Sequence, residues 1–370
     1  MSHNTIIPSS RGGDLGLRLR TRRWLGAWSA ASLAIGLILT VAPAAHADRV
    51  TATIEVRDDP VGVAITPDGT RAYVTVWDSS EVAVINPRTN RVMTTIDVGY
   101  IPRAVAITPD GTRAYVTNNG EFDNPSDSVS VIDTATNRVT NTIDIGSNLG
   151  AEGIAITPDG AYAYVTLYGG DRVAVVDTAT NTVIDTVVGF YSQPIGVAIT
   201  PDGTRAYVTS ANPRWPNNAF VVSVLDTSTN TIINGIDVGR DQQAIALLPD
   251  GTRAYVVSET TDKVSVLDTA TNTVTQTIDV GDLPRQVAIT PDGTRAYVTN
   301  YGDGTVSVID TATNTATNTI EVRDYPTGIA ITPDGTRAYV THPGRGTVSV
   351  ITLGVEPWTG SLGSLGSSGS

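Results

Sequence analysis

The fold is decided by one stretch of sequence, Ile289-Thr290-Pro291-Asp292-Gly293-Thr294-Arg295-Ala296-Tyr297-Val298-Thr299, because close copies of it return along the whole chain. Each copy carries Pro-Asp-Gly, and six residues after each proline stands a tyrosine followed by valine. The prolines follow one another at intervals of 42, 49, 43, 48, 42 and 42 residues, and they are Pro67, Pro109, Pro158, Pro201, Pro249, Pro291 and Pro333. Self-similarity at this period is the signature of a repeat architecture.

One repeat unit contains four short stretches with strand character, and nothing in it has a helical period. The predicted strands are 287–290, 295–299, 306–309 and 319–322. In Pro-Asp-Gly the proline presets φ at the first turn position and the glycine takes the positive φ that closes the hairpin. In Asp-Thr-Ala-Thr-Asn, which follows the third strand, the Asp and Thr oxygens can accept N–H groups of the turn. Four antiparallel strands per unit predict a β-propeller blade.

The two ends of the repeat region predict how the ring closes. The seventh unit stops after its third strand, at 348–351, whereas the segment 50–56 matches the fourth-strand pattern but precedes the first unit. Three strands from the C-terminal end and one from the N-terminal end would complete blade seven and remove a free sheet edge. The fold class is therefore predicted to be all-β, a seven-bladed β-propeller of four-stranded antiparallel blades whose last blade is closed by the N-terminal strand.

These repeated motifs also carry a family resemblance. Ile-Thr-Pro-Asp-Gly, Ala-Tyr-Val-Thr-Asn and Val-Ser-Val-Ile-Asp-Thr-Ala-Thr-Asn resemble the YVTN-repeat (YncE-like) family of bacterial seven-bladed β-propellers, over roughly residues 49–352. The match is imperfect at Leu248 and Val257, where threonine is usual, at Ala161-Tyr162, and at Asn86-Pro87-Arg88. The resemblance implies association with the cell envelope or surface more than it implies any chemistry.

The first 47 residues have the order of an export signal. Four arginines between 18 and 23 precede an apolar run, 25–42, and Ala45-His46-Ala47 then forms a small-x-small cleavage site that leaves Asp48 as the mature N-terminus. The arginine pair at 22–23 partly resembles a twin-arginine motif, so the general secretory and twin-arginine routes both stay open. We therefore divide the chain into an export signal at 1–47, a propeller at 48–353 and a flexible Gly/Ser-rich tail at 354–370, in an extracellular or periplasmic protein of the cell envelope.

Composition excludes several kinds of chemistry. The chain has no Cys and 3 His, of which only His342 lies beyond the signal segment, so thiolate sites and three-histidine metal sites cannot be built. Removing 1–47 takes away five basic residues and one acidic residue, which leaves 19 basic and 36 acidic side chains and a net charge of −17. Such a charge disfavours binding to nucleic acid. After the signal no apolar run is long enough to span a membrane. No metal site and no cofactor are predicted; the oxygen-rich loop 123–127 is interpreted as a solvated polar loop rather than a Ca²⁺ site.

Variation among the repeats predicts where binding occurs. The Pro-Asp-Gly and Asp-Thr-Ala-Thr-Asn turns have nearly the same sequence in each repeat, and they belong to one end of the ring. The loops between second and third strands and the links between blades vary in sequence, contain many aromatic residues and belong to the other end. On that variable face we predict a binding site composed of Trp77, Arg103, Phe122, Tyr168, Arg214, Trp215, Arg285 and Tyr301. Aromatic and arginine side chains are the types that dominate binding hot spots.

The innermost strands are expected to ring a channel mouth on this face. Arg103 and Arg285, with Gln286 beside them, could meet an anionic ligand there, but we favour a water-filled channel in which one arginine pairs with Glu152. The small residues that follow the mouth positions in most blades suit backbones that converge on an axis. The repeated tyrosines are interpreted as core between blades rather than as ligands.

The sequence therefore predicts an exported, monomeric, non-catalytic propeller that binds or scaffolds an envelope protein, a glycan or a small molecule. No catalytic residue is predicted, because a Ser-His-Asp arrangement would depend on His342, whose neighbours read as a loop. A lactone hydrolase or lyase of propeller shape is the alternative; three or more convergent carboxylates at the mouth with a bound divalent ion would favour it. A purely structural envelope protein without a small ligand is the third possibility.

Overall fold

A computed structural model describes residues 47–120, 126–190, 192–213 and 221–354 of the chain. The predicted export signal, except Ala47, and the predicted tail, except Gly354, lie outside the described residues. No helix in the described ranges is long and apolar enough to cross a membrane.

Seven four-stranded antiparallel sheets form the blades, in the order of the sequence. The strands of blades one to four are β2 Pro60–Ile65, β3 Ala72–Val76, β4 Glu81–Asn86 and β5 Arg91–Asp97; β6 Pro102–Ile107, β7 Arg113–Asn118, β8 Ser126–Asp133 and β9 Arg138–Ser147; β10 Ala151–Ile156, β11 Tyr162–Leu167, β12 Arg172–Asp177 and β13 Thr182–Val188; β14 Ser192–Ile199, β15 Arg205–Pro213, β16 Val221–Asp226 and β17 Thr231–Asp237. Short 3₁₀ turns at Tyr168–Gly170 and Glu259–Thr261 follow the second strands of blades three and five.

Blades five to seven complete the ring, and blade seven combines the two ends of the propeller. The strands are β18 Gln242–Leu247, β19 Arg253–Ser258, β20 Lys263–Asp268 and β21 Thr273–Asp279; β22 Pro284–Ile289, β23 Arg295–Asn300, β24 Thr305–Asp310 and β25 Thr315–Glu321; β26 Ile329–Ile331, β27 Arg337–His342, β28 Thr347–Thr352 and β1 Arg49–Glu55. The N-terminal β1 pairs antiparallel with β28, so the sheet order of blade seven is β1-β28-β27-β26. The predicted fold class and the predicted closure are both confirmed.

The turns form as their residue types predict. Each Pro-Asp-Gly glycine has positive φ, between 68° and 73°. The aspartate of the same turn accepts the N–H of a residue two positions on, as Asp68 does from Thr70 at 2.9 Å. In the Asp-Thr-Ala-Thr-Asn turns the first aspartate accepts the N–H of the second threonine, for example Thr136 N to Asp133 Oδ1 at 2.7 Å. The aspartate side chains accept backbone N–H groups of the turns, so the strands can end there without leaving those groups unpaired.

The core lies between blades, and the repeated tyrosines are its largest members. All seven tyrosine side chains are fully buried, as the sequence predicted, and each hydroxyl donates a hydrogen bond of 2.6 to 3.1 Å to a side chain of the adjacent blade. Six of the acceptors are the asparagines that end the Asp-Thr-Ala-Thr-Asn turns or their blade-one counterpart. We call each tyrosine–acceptor pair an interblade latch. Burial raises the pKa of these phenols, that of Tyr73 to about 12, so the latches stay protonated.

The seventh latch uses a different residue. Tyr297 donates to Asp48 Oδ2 at 2.7 Å, and Arg295 and the backbone N–H of Gly354 also donate to this carboxylate, at 3.1 and 2.6 Å. The side chain of Asp48 is only 6% exposed. Asp48 immediately precedes β1 and thus occupies the position that an asparagine occupies before the outer strand in the other blades. The predicted first residue of the mature protein therefore closes the ring.

Candidate ligand site at the channel mouth

A cavity of about 290 Å³ lies on the axis, where the seven innermost strands converge. The innermost strands ring the mouth as expected, and one residue per blade forms the first ring: Val61, Arg103, Glu152, Ile195, Gln243, Arg285 and Thr327. The next residue of each blade is glycine or alanine except in blade six, where Gln286 stands. A Cβ atom on Gly62 would lie 2.4 Å from the carbonyl oxygen of Arg103, so this position of blade one requires glycine.

In six of the seven blades a threonine hydroxyl joins the innermost strand to the innermost strand of the next blade. In blade one, Thr75 Oγ1 accepts the N–H of Gly62 at 2.7 Å and donates to the carbonyl of Arg103 at 2.8 Å. The same pair of bonds recurs in every blade that has Tyr-Val-Thr, and we call it the threonine clip. Blade five has Val257 at this position and therefore lacks the hydroxyl. The mouth is thus a rigid backbone ring with one missing clip, between blades five and six.

The first group of polar side chains at the mouth joins blades one, two and three. The guanidinium of Arg103 lies 4.7 Å from the ring centroid of Trp77, and its Nε is 3.6 Å from Glu152 Oε1. Asn119 also donates to Glu152, at 3.1 Å. Burial raises the pKa of Glu152, while the charge of Arg103 and the bond from Asn119 oppose the rise. The pairing of an arginine with Glu152, expected from the sequence, is confirmed for Arg103.

The second group joins blades five, six and the link to blade seven. Arg285 forms an ion pair of 2.7 Å with Glu259, and its guanidinium lies 4.9 Å from the ring centroid of Tyr301. Gln243 donates to the same glutamate, and Tyr301 packs against Tyr325 with ring centroids 5.0 Å apart. Arg285 is therefore neutralised by Glu259 rather than by Glu152. Both groups place an arginine between an aromatic ring and a carboxylate.

The structure brings together only part of the predicted binding site. Trp77 with Arg103, and Arg285 with Tyr301, form the two groups just described. Tyr168 begins a 3₁₀ turn on the same side of blade three, with Gly169 and Gly170 bonded to the blade two–three link. The other three predicted residues lie outside the described residues, and they are Phe122, Arg214 and Trp215. Most of the loop 123–127 lies outside them as well.

Two mouth residues were missed from the sequence, namely Asn119 and Glu259. Each stands two positions after the Tyr-Val-Thr threonine or its replacement, the register that Trp77, Tyr168 and Tyr301 also occupy. This register lies at the rim of the mouth, beside the inner strand of the following blade. Comparing this one position across the seven repeats would have found both residues.

His342 and Asp127 are buried near this face, and each forms hydrogen bonds that hold neighbouring elements of the fold together. His342 ends β27, fully buried, with Nε2 2.9 Å from Ser349 Oγ and Nδ1 3.3 Å from the carbonyl of Asp324. It ends a strand, and in the described part of the chain its ring nitrogens contact a serine hydroxyl and a backbone carbonyl rather than a carboxylate. Asp127 accepts the N–H groups of Leu149 and Gly150, at 2.6 and 3.2 Å, and burial raises its pKa. Among the described residues no group of three or more His, Cys, Asp or Glu side chains could hold a metal ion.

Comparison with known proteins supports the fold and gives two partial family matches. A model described as "Lactonase, 7-bladed beta-propeller" matches residues 243–369, and one described as "Choice-of-anchor I domain" matches residues 39–148. Each covers about a third of the chain, so neither assigns the whole chain to its family.

No curated protein matches the chain. A solved chain of hydrazine synthase from Kuenenia stuttgartiensis superposes with a TM-score of 0.72 at 22% identity, over 80% of this chain and 96% of that one. The protein is thus similar to it in fold.

Proposed function

We propose that this chain is an exported, non-catalytic β-propeller of the cell envelope that binds a ligand or partner protein through the face around the channel mouth. The observation that carries the proposal is the contrast between the two faces. At one face the blades repeat the same kinds of turn and latch, with few departures such as Asp48 in the seventh latch. At the other face the rim and inner positions differ from blade to blade, and two of the differences build arginine–aromatic–carboxylate groups.

The two groups suit recognition because they are rigid before any ligand arrives. An arginine stacked on an aromatic ring and paired with a carboxylate loses little further conformational freedom when it binds. Aromatic residues and arginine also combine a large apolar area with directional hydrogen bonds, which is why they dominate binding hot spots. Part of this surface remains open to solvent, since Tyr325, which packs against Tyr301, is 46% exposed.

Placement in the cell envelope is supported by three observations on the chain. The first 47 residues have the order of an export signal, and the repeats resemble YVTN-type propellers. The choice-of-anchor model matches from residue 39 through blade two.

The proposal is tested with the mature protein, residues 48–370, immobilised and exposed to solubilised envelope. We expect the double variant Trp77→Ala, Tyr301→Ala to lose bound material by about tenfold or more, because both rings support the arginines of the mouth. The matched control is Thr136→Ala, Thr313→Ala, two exposed threonines in the uniform turns of the opposite face. Loss of binding in the control variant, with unchanged binding in the mouth variant, would contradict the proposal and show that binding occurs at the opposite face.

A lactone hydrolase is the second candidate, and the lactonase model over blades five to seven is the observation that favours it. The mouth contains the two carboxylates Glu152 and Glu259, and each is engaged by an arginine and an amide. A hydrolase would require one of them free to act as a base or ligand. Lactone hydrolysis by the mature protein that is lost in Glu259→Gln or Glu152→Gln, while folding is retained, would favour this candidate over the binding protein.

A further inference from the structure

We propose that the ligand held at the mouth is an uncharged, hydroxyl- and amide-bearing molecule of the neutral sugar class, and that the wall formed by blades five and six holds it. This inference rests on the proposed function, because it takes the mouth as the binding site. It adds the chemistry of the ligand and the residues that select it.

Charge balance at the mouth excludes strong selection for ions. Arg103, Glu152 and Arg285 are the charged residues among those that line the cavity, and Glu259 at the rim neutralises Arg285. An anionic ligand would have to displace a carboxylate from an arginine, and a cationic ligand would have to displace an arginine from a carboxylate. Each replacement exchanges one ion pair for another, so the net gain in binding free energy is small. A neutral ligand leaves both pairs intact and uses the hydrogen-bonding capacity that remains.

Part of that remaining capacity lies on the blade five–six wall. The Nε of Arg285 is buried and has no hydrogen-bond partner, as is also true of the Nε of Arg103 on the blade two side of the mouth. Gln286, the one large residue in the second ring, is exposed, and only its backbone takes part in hydrogen bonds within the described chain. A guanidinium N–H donor beside a carboxamide matches the hydroxyl and amide groups of a sugar.

Two departures from the repeat lie on the same wall. Val257 removes the threonine clip between blades five and six, and Gln286 replaces the glycine or alanine of the other blades. Each departure gives up a feature that stabilises the remaining blades, namely the threonine hydroxyl of the clip and the small residue of the second ring. Local rules in a repeat protein are broken mainly where function requires it. At the rim of this wall Tyr325 packs against Tyr301 at a tilt of 40° and leaves nearly half of its surface exposed, an apolar surface for the C–H face of a sugar ring.

The experiment is calorimetric titration of the mature protein with three tetrasaccharides: chitotetraose, which is neutral and bears amides; its deacetylated, cationic form; and tetragalacturonate, which is anionic. We expect chitotetraose to bind at least about tenfold more tightly than either charged probe, with an affinity that is unchanged between about 50 and about 500 mM salt. Tighter binding of a charged probe, a steep salt dependence, or no binding of any probe would overturn the inference.

Gln286→Ala is the selective variant, because it turns the Pro-Arg-Gln of blade six into the Pro-Arg-Ala that blade two already has at Ala104. We expect about tenfold weaker binding of chitotetraose with an unchanged melting temperature, whereas Thr313→Ala changes neither. Unchanged binding in Gln286→Ala would contradict the assignment of the wall. If the Trp77, Tyr301 variant loses its envelope partner while no tetrasaccharide binds, the proposed function stands and this inference alone fails.

Discussion

At the scale of single residues, His342 performs in blade seven the task that an amide performs elsewhere. Asn118 and Asn300 end the equivalent strands of blades two and six, and each donates to a serine of the adjacent strand, at 3.0 and 2.9 Å. His342 contacts Ser349 in the same way. Burial lowers the pKa of His342 to about 4, so the ring stays neutral in the folded protein where the unfolded chain would protonate it.

His342 should therefore make the protein less stable in mild acid. Between the unfolded pKa of about 6.5 and the folded value of about 4, the unfolded chain binds the extra proton, so stability is complete above this window and falls as the pH decreases through it. We expect His342→Asn to fold and to remove about 3 kcal/mol of the loss in unfolding free energy between pH 7 and pH 4. Denaturant unfolding of both proteins across this range measures the difference; parallel pH profiles would contradict the assignment.

Asp48 is the second residue whose contribution to stability can be tested by substitution, because it takes the place of an asparagine at the seventh latch. Asp48→Ala leaves the hydroxyl of Tyr297, the guanidinium of Arg295 and the N–H of Gly354 without their acceptor. We expect it to lower the unfolding free energy by about 2–4 kcal/mol, and Asp48→Asn to cost less than about 1.5 kcal/mol. Urea unfolding midpoints decide between them. Equal effects of the two substitutions would show that the latch does not depend on a hydrogen-bond acceptor at this position.

At the scale of elements, the threonine clip links each second strand to the innermost strand of the next blade. Thr299 is fully buried, accepts the N–H of Gln286 at 3.0 Å and donates to the carbonyl of Thr327 at 2.8 Å. Thr299→Val keeps the shape but leaves both backbone groups unpaired, so we expect a loss of about 2–3 kcal/mol.

Val257→Thr is the reciprocal experiment within the same ring, because it supplies the missing clip between blades five and six. We expect it to raise the unfolding free energy by about 0.5–1.5 kcal/mol. Thermal and urea unfolding of the two variants check the pair together. Destabilisation by Val257→Thr would mean that the backbones of blades five and six do not approach as those of the other blades do.

At the scale of the whole molecule, the fold was predictable because every rule of the repeat agrees with it. Turn chemistry, strand alternation and the orphan segment before the first unit all point to seven closed blades, and the same residues form them in the structure. Asp48 was predictable too, since it precedes β1 as an asparagine precedes the other outer strands.

The site was only partly predictable, because its pairs join different blades. Glu259 and Arg285 are 26 positions apart in sequence, as Asn119 and Glu152 are 33 apart, and only the rotation from one blade to the next brings them into contact. The sequence showed that the mouth face varies and contains arginine and aromatic residues. It did not show which carboxylate would neutralise Arg285, and therefore not that the mouth is balanced in charge.

The central claim, that binding occurs at the variable face around the mouth, is tested most directly by hydrogen–deuterium exchange of the mature protein with and without the envelope material it retains. We predict slower exchange in the peptides that carry the rim register and the blade-to-blade links, including Trp77, Glu259, Tyr301 and Tyr325, and unchanged exchange in the Pro-Asp-Gly and Asp-Thr-Ala-Thr-Asn turns. Protection of those turns, with unchanged exchange at the rim, would contradict the claim.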